Sequence, residues 1–230
     1  MTNKYTITIT NGSGAKETYA LFNQVPQVTG LDQGMIWSNV VVTQNAAPGQ
    51  QVTFEIVNDY HAIVGQQRQS DDGTFSVGSQ GSVPVSLGQV QADGTVVPGT
   101  TLSMVVEDDT PQFAATPLPN SSAPNSFEIQ TGDFDAATAK HEGYIIGLGP
   151  AKVGGHIHGP SATFTPEPRT TYQIHPTNTY YVAAGSYVQG ALIDVTHLSS
   201  QTAVVDFTKQ TDYEIFHSDH GVLAIQVDSD

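Results

Sequence analysis

Short runs of alternating apolar and polar residues, separated by glycine, proline and asparagine, make up most of this chain of 230 residues. At its beginning, Tyr5, Ile7 and Ile9 alternate with threonines, and Asn11-Gly12-Ser13-Gly14 then precedes a second extended segment over residues 18–22. Alternation with a period of two places the apolar side chains on one face of a strand, and Asn-Gly favours a tight turn. This segment therefore predicts a β-hairpin.

The same pattern recurs along the rest of the chain, and no long segment shows the 3.6-residue period of an amphipathic helix. One short helix is predicted near Asp135 to Glu142. Many short strands joined by Gly, Pro and Asn turns are typical of sandwiches and barrels, and not of alternating β-α units. We therefore predict an all-β fold, an antiparallel β-sandwich of jelly-roll-like form. One domain and two packed β subdomains are both compatible with this pattern.

A proline-rich stretch interrupts the strand pattern near the middle of the chain. Four prolines lie between Thr110 and Asn125, and proline has no N–H group to donate within a central strand. We therefore predict an N-terminal β half over residues 1–110, a connector over residues 111–125 and a C-terminal β half over residues 126–230.

The charge and the lack of cysteine exclude several classes of function. Acidic residues outnumber basic residues by 22 to 7, and the formal net charge of -15 disfavours nucleic acid and anionic membranes as partners. Without cysteine there is no disulfide, no zinc–thiolate site and no cysteine nucleophile. No segment has the roughly 18 consecutive apolar residues of a membrane span, and the N-terminus has no apolar signal core. We expect a cytoplasmic protein.

Seven of the eight histidines follow the predicted connector, and this asymmetry is the main functional signal in the sequence. His156 and His158 are two residues apart in a glycine-flanked segment, so on a strand they project from one face, as two metal ligands must. His217 and His220 flank the end of a later predicted strand. We predict that these four histidines form a pocket for a divalent metal ion, with zinc, iron, copper and manganese all compatible.

Two functions from different classes fit this reading. In the first, the metal pocket acts on a small organic molecule, and Glu142 and Asp219 are the candidates for acid-base catalysis. In the second, the histidines are ordinary polar residues and the chain is a non-catalytic ligand- or protein-binding module, lectin-like or structural. The sequence leaves open whether the chain is an enzyme, and it is compatible with a small-molecule or carbohydrate ligand. Exposed edge strands would also permit oligomerisation.

Acidic residues also occur in close groups, at Asp71-Asp72, Glu107-Asp108-Asp109, Asp133 with Asp135, and Asp228 with Asp230. Oxygen-rich loops of this kind hold calcium in some proteins. None of these groups follows the twelve-residue calcium loop, and in so acidic a chain we interpret all four as solvated turns. No motif in the chain is specific enough to transfer an activity from a known family.

Overall fold

The computed structural model describes residues 4–31, 36–69, 75–153, 160–193 and 202–226. Within these ranges the regular structure is almost entirely β-strand, with one short helix, α1 (Ala136–His141). The predicted all-β class and the predicted short helix are both confirmed. No helix in these ranges is long and apolar enough to cross a membrane.

Most of the strands are short, as the spacing of turn residues predicts, and β5 is the long exception. In chain order they are β1 (Lys4–Asn11), β2 (Glu17–Asn23), β3 (Gln27–Thr29), β4 (Trp37–Ala46), β5 (Gln51–Gln69), β6 (Phe75–Val85), β7 (Gln89–Val90), β8 (Val96–Val97), β9 (Thr101–Glu107), β10 (Thr110–Phe113), β11 (Phe127–Thr131), β12 (Tyr144–Val153), β13 (Ala162–Phe164), β14 (Thr171–His175), β15 (Thr179–Ala184), β16 (Leu192–Ile193), β17 (Thr202–Asp206), β18 (Asp212–His217) and β19 (Leu223–Gln226).

The strands form two main sheets, and antiparallel pairing predominates in both. The larger sheet follows the order β17-β15-β2-β4-β13-β12-β5-β1-β18-β19, with β16 added to β4 and β6 added to β5. The smaller sheet has the order β10-β9-β11-β14-β3. Among the strands that the structure describes, two pairs are parallel, β1 with β18 and β9 with β11. Among the described residues, β7 and β8 form a separate small ribbon.

The predicted hairpin between β1 and β2 is wrong. β1 pairs with β5 and β18, whereas β2 pairs with β4 and β15. The chain therefore arches from one layer of the sandwich to the other at Asn11. The side-chain amide of Asn11 stabilises this arch by donating to the carbonyl oxygens of Ala15 and Ala46, at 2.8 and 3.0 Å.

A first hydrophobic core fills the space between the two ends of the larger sheet. Strands β1, β5, β18 and β19 supply one wall, and β2, β4, β15 and β17 supply the other. The buried side chains include Ile7, Ile9, Leu21, Val41, Phe54, Val182, Val205 and Ile215. This core is built from both ends of the described chain.

A second hydrophobic core lies between the smaller sheet and the middle of the larger one. It contains Ala62, Val64, Met104, Phe127, Ile129, Ile146, Leu148, Phe164, Tyr172 and Ile174. The long strand β5 serves both cores, because Phe54 and Ile56 face the first and Ala62 and Val64 face the second.

Strands from either side of the predicted connector pair with each other. β1 pairs with β18, β2 with β15 and β9 with β11, so both cores contain residues from both predicted halves. Part of the connector is itself paired, since Pro111 lies in β10, at the edge of the smaller sheet, where a missing N–H group is tolerated. The division of the chain into folding units at residues 111–125 stays a prediction.

Candidate functional site

The predicted metal ligands fall partly inside and partly outside the described residues. His156 and His158 lie outside them. His217 ends β18 and is only 3% exposed, and its Nδ1 lies 2.9 Å from the hydroxyl oxygen of Tyr19. His220 lies in the turn that follows, where 86% of its side chain is exposed and its Nε2 is 3.8 Å from a carboxylate oxygen of Asp219. These two histidines therefore face different surroundings.

Strand geometry explains why His217 is buried. Tyr213, Ile215 and His217 alternate along β18, and all three side chains point into the first core. The imidazole ring stands edge-on to the ring of Tyr19, with 5.6 Å between the ring centroids. Among the residues that the structure describes, no group of three His, Asp or Glu side chains could hold a metal ion. With His156 and His158 outside that set, the metal pocket stays a prediction.

The predicted acid-base residues Glu142 and Asp219 are both at the surface and lie on different elements. Glu142 caps the C-terminus of α1, and its backbone N–H donates to the carbonyl oxygen of Thr138 at 2.8 Å. Asp219 lies in the turn after β18, with 75% of its side chain exposed. Their catalytic role stays a prediction.

Two of the acidic groups that the sequence places in separate turns meet at one open cavity of about 230 Å³, to which the first contributes Asp109 and the second contributes Asp133 and Asp135. We call this cavity the acidic pocket. It is lined by Val106, Asp109, Asp133, Phe134, Asp135, Thr138 and Tyr144. The turn between β9 and β10, the segment between β11 and α1, and the start of β12 each supply part of the wall.

Local backbone geometry positions Asp109 at this pocket. Asp108 and Asp109 are the two central residues of the hairpin between β9 and β10, and both have positive φ angles, 48° and 56°. Two such residues in succession are the signature of a type I′ turn, whose twist matches that of the paired strands. The carbonyl oxygen of Asp109 accepts a hydrogen bond from the hydroxyl of Tyr144 at 3.1 Å.

The other two carboxylates are held in place by neighbouring groups. Asp135 is the N-cap of α1, and its Oδ1 accepts hydrogen bonds from the backbone N–H and the hydroxyl of Thr138, at 2.7 and 2.8 Å. These bonds lower the pKa of Asp135, so this side chain is ionised at neutral pH. Asp133 forms an ion pair with the exposed guanidinium of Arg169.

Two aromatic rings complete the pocket. The ring of Phe134 meets that of Tyr144 at a tilt of 70°, with 6.4 Å between the centroids. Burial raises the pKa of Tyr144, and the charges of Asp109 and Glu142 raise it further, so its hydroxyl stays protonated. Glu142 therefore acts electrostatically on this pocket although it does not line it.

A larger cavity of about 530 Å³ runs along the edge where β18 pairs with β19. It is lined by Gln210, Thr211, Asp212, Tyr213, Glu214, Ile225 and Gln226. The hydroxyl of Tyr213 is already engaged, since it donates to the carbonyl oxygen of Asp206 at 2.8 Å. The lining comes from two adjacent strands and the segment before them, so this cavity is a groove along a sheet edge, whereas the acidic pocket is walled by several elements.

A family model named RhiA matches residues 2–226 of this chain. The chain belongs to the RhiA family. No curated protein and no solved structure matches it.

Sequence reasoning missed the acidic pocket as a whole, because it interpreted the acidic groups as solvated turns and did not single out Phe134 or Tyr144. A local signal existed for one wall of the pocket, because two acidic residues between two alternating segments are compatible with a two-residue hairpin. The meeting of that hairpin with α1 and β12 depends on long-range packing of the RhiA-family fold, for which no local pattern exists.

Proposed function

We propose that this RhiA-family protein is a non-catalytic binding module whose acidic pocket takes a positively charged organic group, such as a primary ammonium or a guanidinium. The observation that carries the proposal is the meeting of three carboxylates and two aromatic rings at one cavity. Carboxylates attract the charge of such a group, and aromatic rings add cation–π attraction.

The size of the acidic pocket favours a small charged group. Pockets for drug-sized ligands usually have volumes of about 300–1,000 Å³, and this cavity is smaller, at about 230 Å³. The ion pair between Asp133 and Arg169 is also relevant, because it is an example of a guanidinium bound by one of the pocket carboxylates. The net charge of -15 raises the concentration of cations around the whole molecule and speeds their encounter with the pocket.

The chemistry of the lining favours binding over catalysis. The Asp135 carboxylate is committed to capping α1, and the Tyr144 hydroxyl is protonated and hydrogen-bonded. Within the described part of the chain, no histidine lines this pocket. Carboxylates that are fixed by a helix cap or by an ion pair are suited to holding a positive charge in place.

Isothermal titration calorimetry tests the proposal with cadaverine and agmatine as free cations, and with a capped lysine-containing tripeptide as the protein-like source of the same group. The double variant Asp109→Asn/Asp133→Asn removes two pocket charges. The matched control, Asp212→Asn/Glu214→Gln, removes two charges at the β18 edge. We expect the pocket variant to weaken binding by about tenfold or more, and the control by less than about twofold.

Equal weakening in both variants, or no binding of any probe by the unmodified protein, would contradict the proposal. Asp135→Asn refines the test, because asparagine preserves the N-cap acceptor while it removes the charge. If only the tripeptide binds, the cation is a side chain of a protein partner. If the free amines bind equally well, a small molecule is sufficient.

A histidine pocket for zinc, iron, copper or manganese stays a second proposal, which rests on the spacing of His156 and His158. Metal analysis of protein purified without a histidine tag would decide it. A carbohydrate ligand, oligomerisation and a cytoplasmic location also remain proposals from the sequence.

A further inference from the structure

A buried carboxylate in the smaller sheet is surrounded by neutral hydrogen-bond donors. Glu128 lies in β11, between β9 and β14, and is 4% exposed. Its Oε1 accepts hydrogen bonds from the Ser121 hydroxyl at 2.9 Å and from Gln130 Nε2 at 2.7 Å. Its Oε2 accepts one from Gln173 Nε2. Buried carboxylates are usually paired with a cation, but no lysine, arginine or histidine of the described chain forms an ion pair with Glu128.

The amide of Gln173 is held in one orientation, because one of its neighbours is a backbone N–H, which can only donate, and another is a carboxylate, which accepts. Its Oε1 accepts a hydrogen bond from the backbone N–H of Ala123 at 2.9 Å and lies 2.8 Å from Ser126 Oγ, whose single proton is shared with the carbonyl oxygen of Ala123, also at 2.8 Å. Its Nε2 donates to the carboxylate of Glu128, which lies directly opposite on the paired strand. The Ala123 N–H polarises the amide carbonyl. A negative charge on Oε1 would draw the Ser126 proton away from the Ala123 carbonyl oxygen, so both groups would then stabilise that charge, as an oxyanion hole does.

The hydroxyl of Ser121 is bound to the same carboxylate as this amide. Ser121 Oγ contacts one oxygen of Glu128, and Gln173 Nε2 contacts the other. The segment carrying Ser121 is fixed by Thr101, whose Oγ1 accepts from the Ser121 backbone N–H at 2.8 Å and lies 3.1 Å from Ser121 Oγ. A nucleophile, a base and a polarised amide therefore belong to one hydrogen-bonded cluster.

We propose that Ser121 and Gln173 become joined by an intramolecular ester bond that the protein forms by itself. Glu128 accepts the proton of the Ser121 hydroxyl, and Ser121 Oγ attacks the Cδ atom of Gln173. The negative charge that develops on Oε1 is stabilised by the Ala123 N–H and the Ser126 hydroxyl. Glu128 then gives the proton to Nε2, the Cδ–Nε2 bond breaks and ammonia leaves. One C–O bond replaces one C–N bond, and no oxidant or cofactor is consumed.

The bond would attach the end of the proline-rich segment to β14. Cross-links stabilise folded proteins chiefly by restricting the unfolded chain. This chain has no cysteine, so it has no disulfide with which to make such a link. The ester would be independent of the acidic pocket, whose residues it does not share.

Intact mass spectrometry of the full chain, before and after incubation at neutral pH, tests the proposal. We expect a mass that is about 17 Da below that of the sequence, the mass of one ammonia. Fragment spectra should join the peptide that contains Ser121 to the one that contains Gln173, and hydroxylamine should separate them. Ser121→Ala and Glu128→Gln should keep the full mass, whereas Ser121→Thr, which retains a hydroxyl, should show the loss. Ser218→Ala is the matched control and should behave like the unmodified protein.

Succinimide formation at Asn11-Gly12 would produce the same mass loss, but it would persist in Ser121→Ala. An unchanged mass in the unmodified protein after incubation, or a loss that survives in Ser121→Ala, overturns the ester. Circular dichroism of each variant checks that the fold is intact. Ser121 lies at the surface, so its replacement by alanine should not prevent folding.

Discussion

His217 and His220 have similar positions in the sequence pattern but different surroundings in the fold. His217 is the last inward-facing residue of β18 and forms a hydrogen bond with Tyr19, whereas His220 lies in solvent after the turn. Burial raises the pKa of Tyr19 to about 12, and the charge of Glu17 adds to this effect. Tyr19 and His217 thus form a buried polar contact within the first core, in which each side chain is the hydrogen-bond partner of the other.

Replacing Tyr19 with phenylalanine should destabilise the protein by about 1–3 kcal/mol, because His217 Nδ1 would lose its partner while it stays buried. Urea unfolding measures the change in the free energy of unfolding. His220→Ala is the control and should change that free energy by less than about 0.5 kcal/mol, as expected of an exposed side chain. Similar effects of the two substitutions would contradict a structural role for the pair.

Comparison of the unmodified protein with Tyr19→Phe over a range of pH should also test the raised pKa of Tyr19. The pKa of Tyr19 is about 12 in the folded protein and 10.0 for a free tyrosine, so the unfolded chain ionises first. The resulting stabilisation is fully present below pH 10 and should be lost as the pH rises towards 12. The stability difference between the unmodified protein and Tyr19→Phe should therefore shrink over this range. The chain has nine tyrosines, so the difference in absorbance at 295 nm between the two proteins is what isolates the ionisation of Tyr19.

The pairing of β1 and β2 illustrates what local patterns can and cannot predict about elements. Both segments are strands, but only β1 alternates and buries a single apolar face. β2 is buried on both faces, with Leu21 in the first core and Phe22 in a separate apolar cluster. A hairpin and an arch between two layers demand the same alternation and similar turn residues. The choice between them depends on whether the apolar faces lie side by side or opposite each other, and here Ile9 and Leu21 face the same core from opposite walls.

The close approach of β12 to β13 at Gly147 can be tested by substitution. A Cβ atom at Gly147 would lie 2.0 Å from the carbonyl oxygen of Ala162, which belongs to the paired strand. Gly147→Ala should therefore separate these strands and cost about 1–3 kcal/mol, the usual range for overpacking. Gly132→Ala is the matched control, because its nearest contact would be 3.4 Å from the Met104 carbonyl oxygen. Equal melting temperatures for the two variants would contradict this prediction, because they would show that the backbone of β13 can move away from the added Cβ atom at little cost.

Both hydrophobic cores depend on β5, and each draws on strands from distant parts of the chain. The first core contains residues from the beginning and the end of the described chain, and the second contains residues from its middle. The two cores are therefore coupled through β5, because unfolding of this strand in one core would disturb its packing in the other. The molecule is expected to unfold cooperatively.

Ile7→Ala in the first core and Ile129→Ala in the second should each lower the stability of one shared transition by about 2–5 kcal/mol. Denaturant unfolding followed by far-ultraviolet circular dichroism and by the fluorescence of Trp37, the single tryptophan, measures this. The two probes should give coincident curves for each variant. Two separate transitions, each shifted by only one substitution, would instead mean that the cores unfold independently.

Local patterns in the chain are sufficient to predict the all-β class, the short helix over residues 136–141 and most strand positions. Strand period, turn chemistry and helix capping act between residues close in sequence, and for that reason they can be read without a structure. Strand partners and the environment of each side chain follow from contacts between distant residues. Asp109 meets Asp135 and Glu128 meets Gln173 only because separate strands pack together, and packing against Tyr19 is what buries His217. Such contacts depend on the complementarity of whole surfaces, and a one-dimensional pattern does not contain that information.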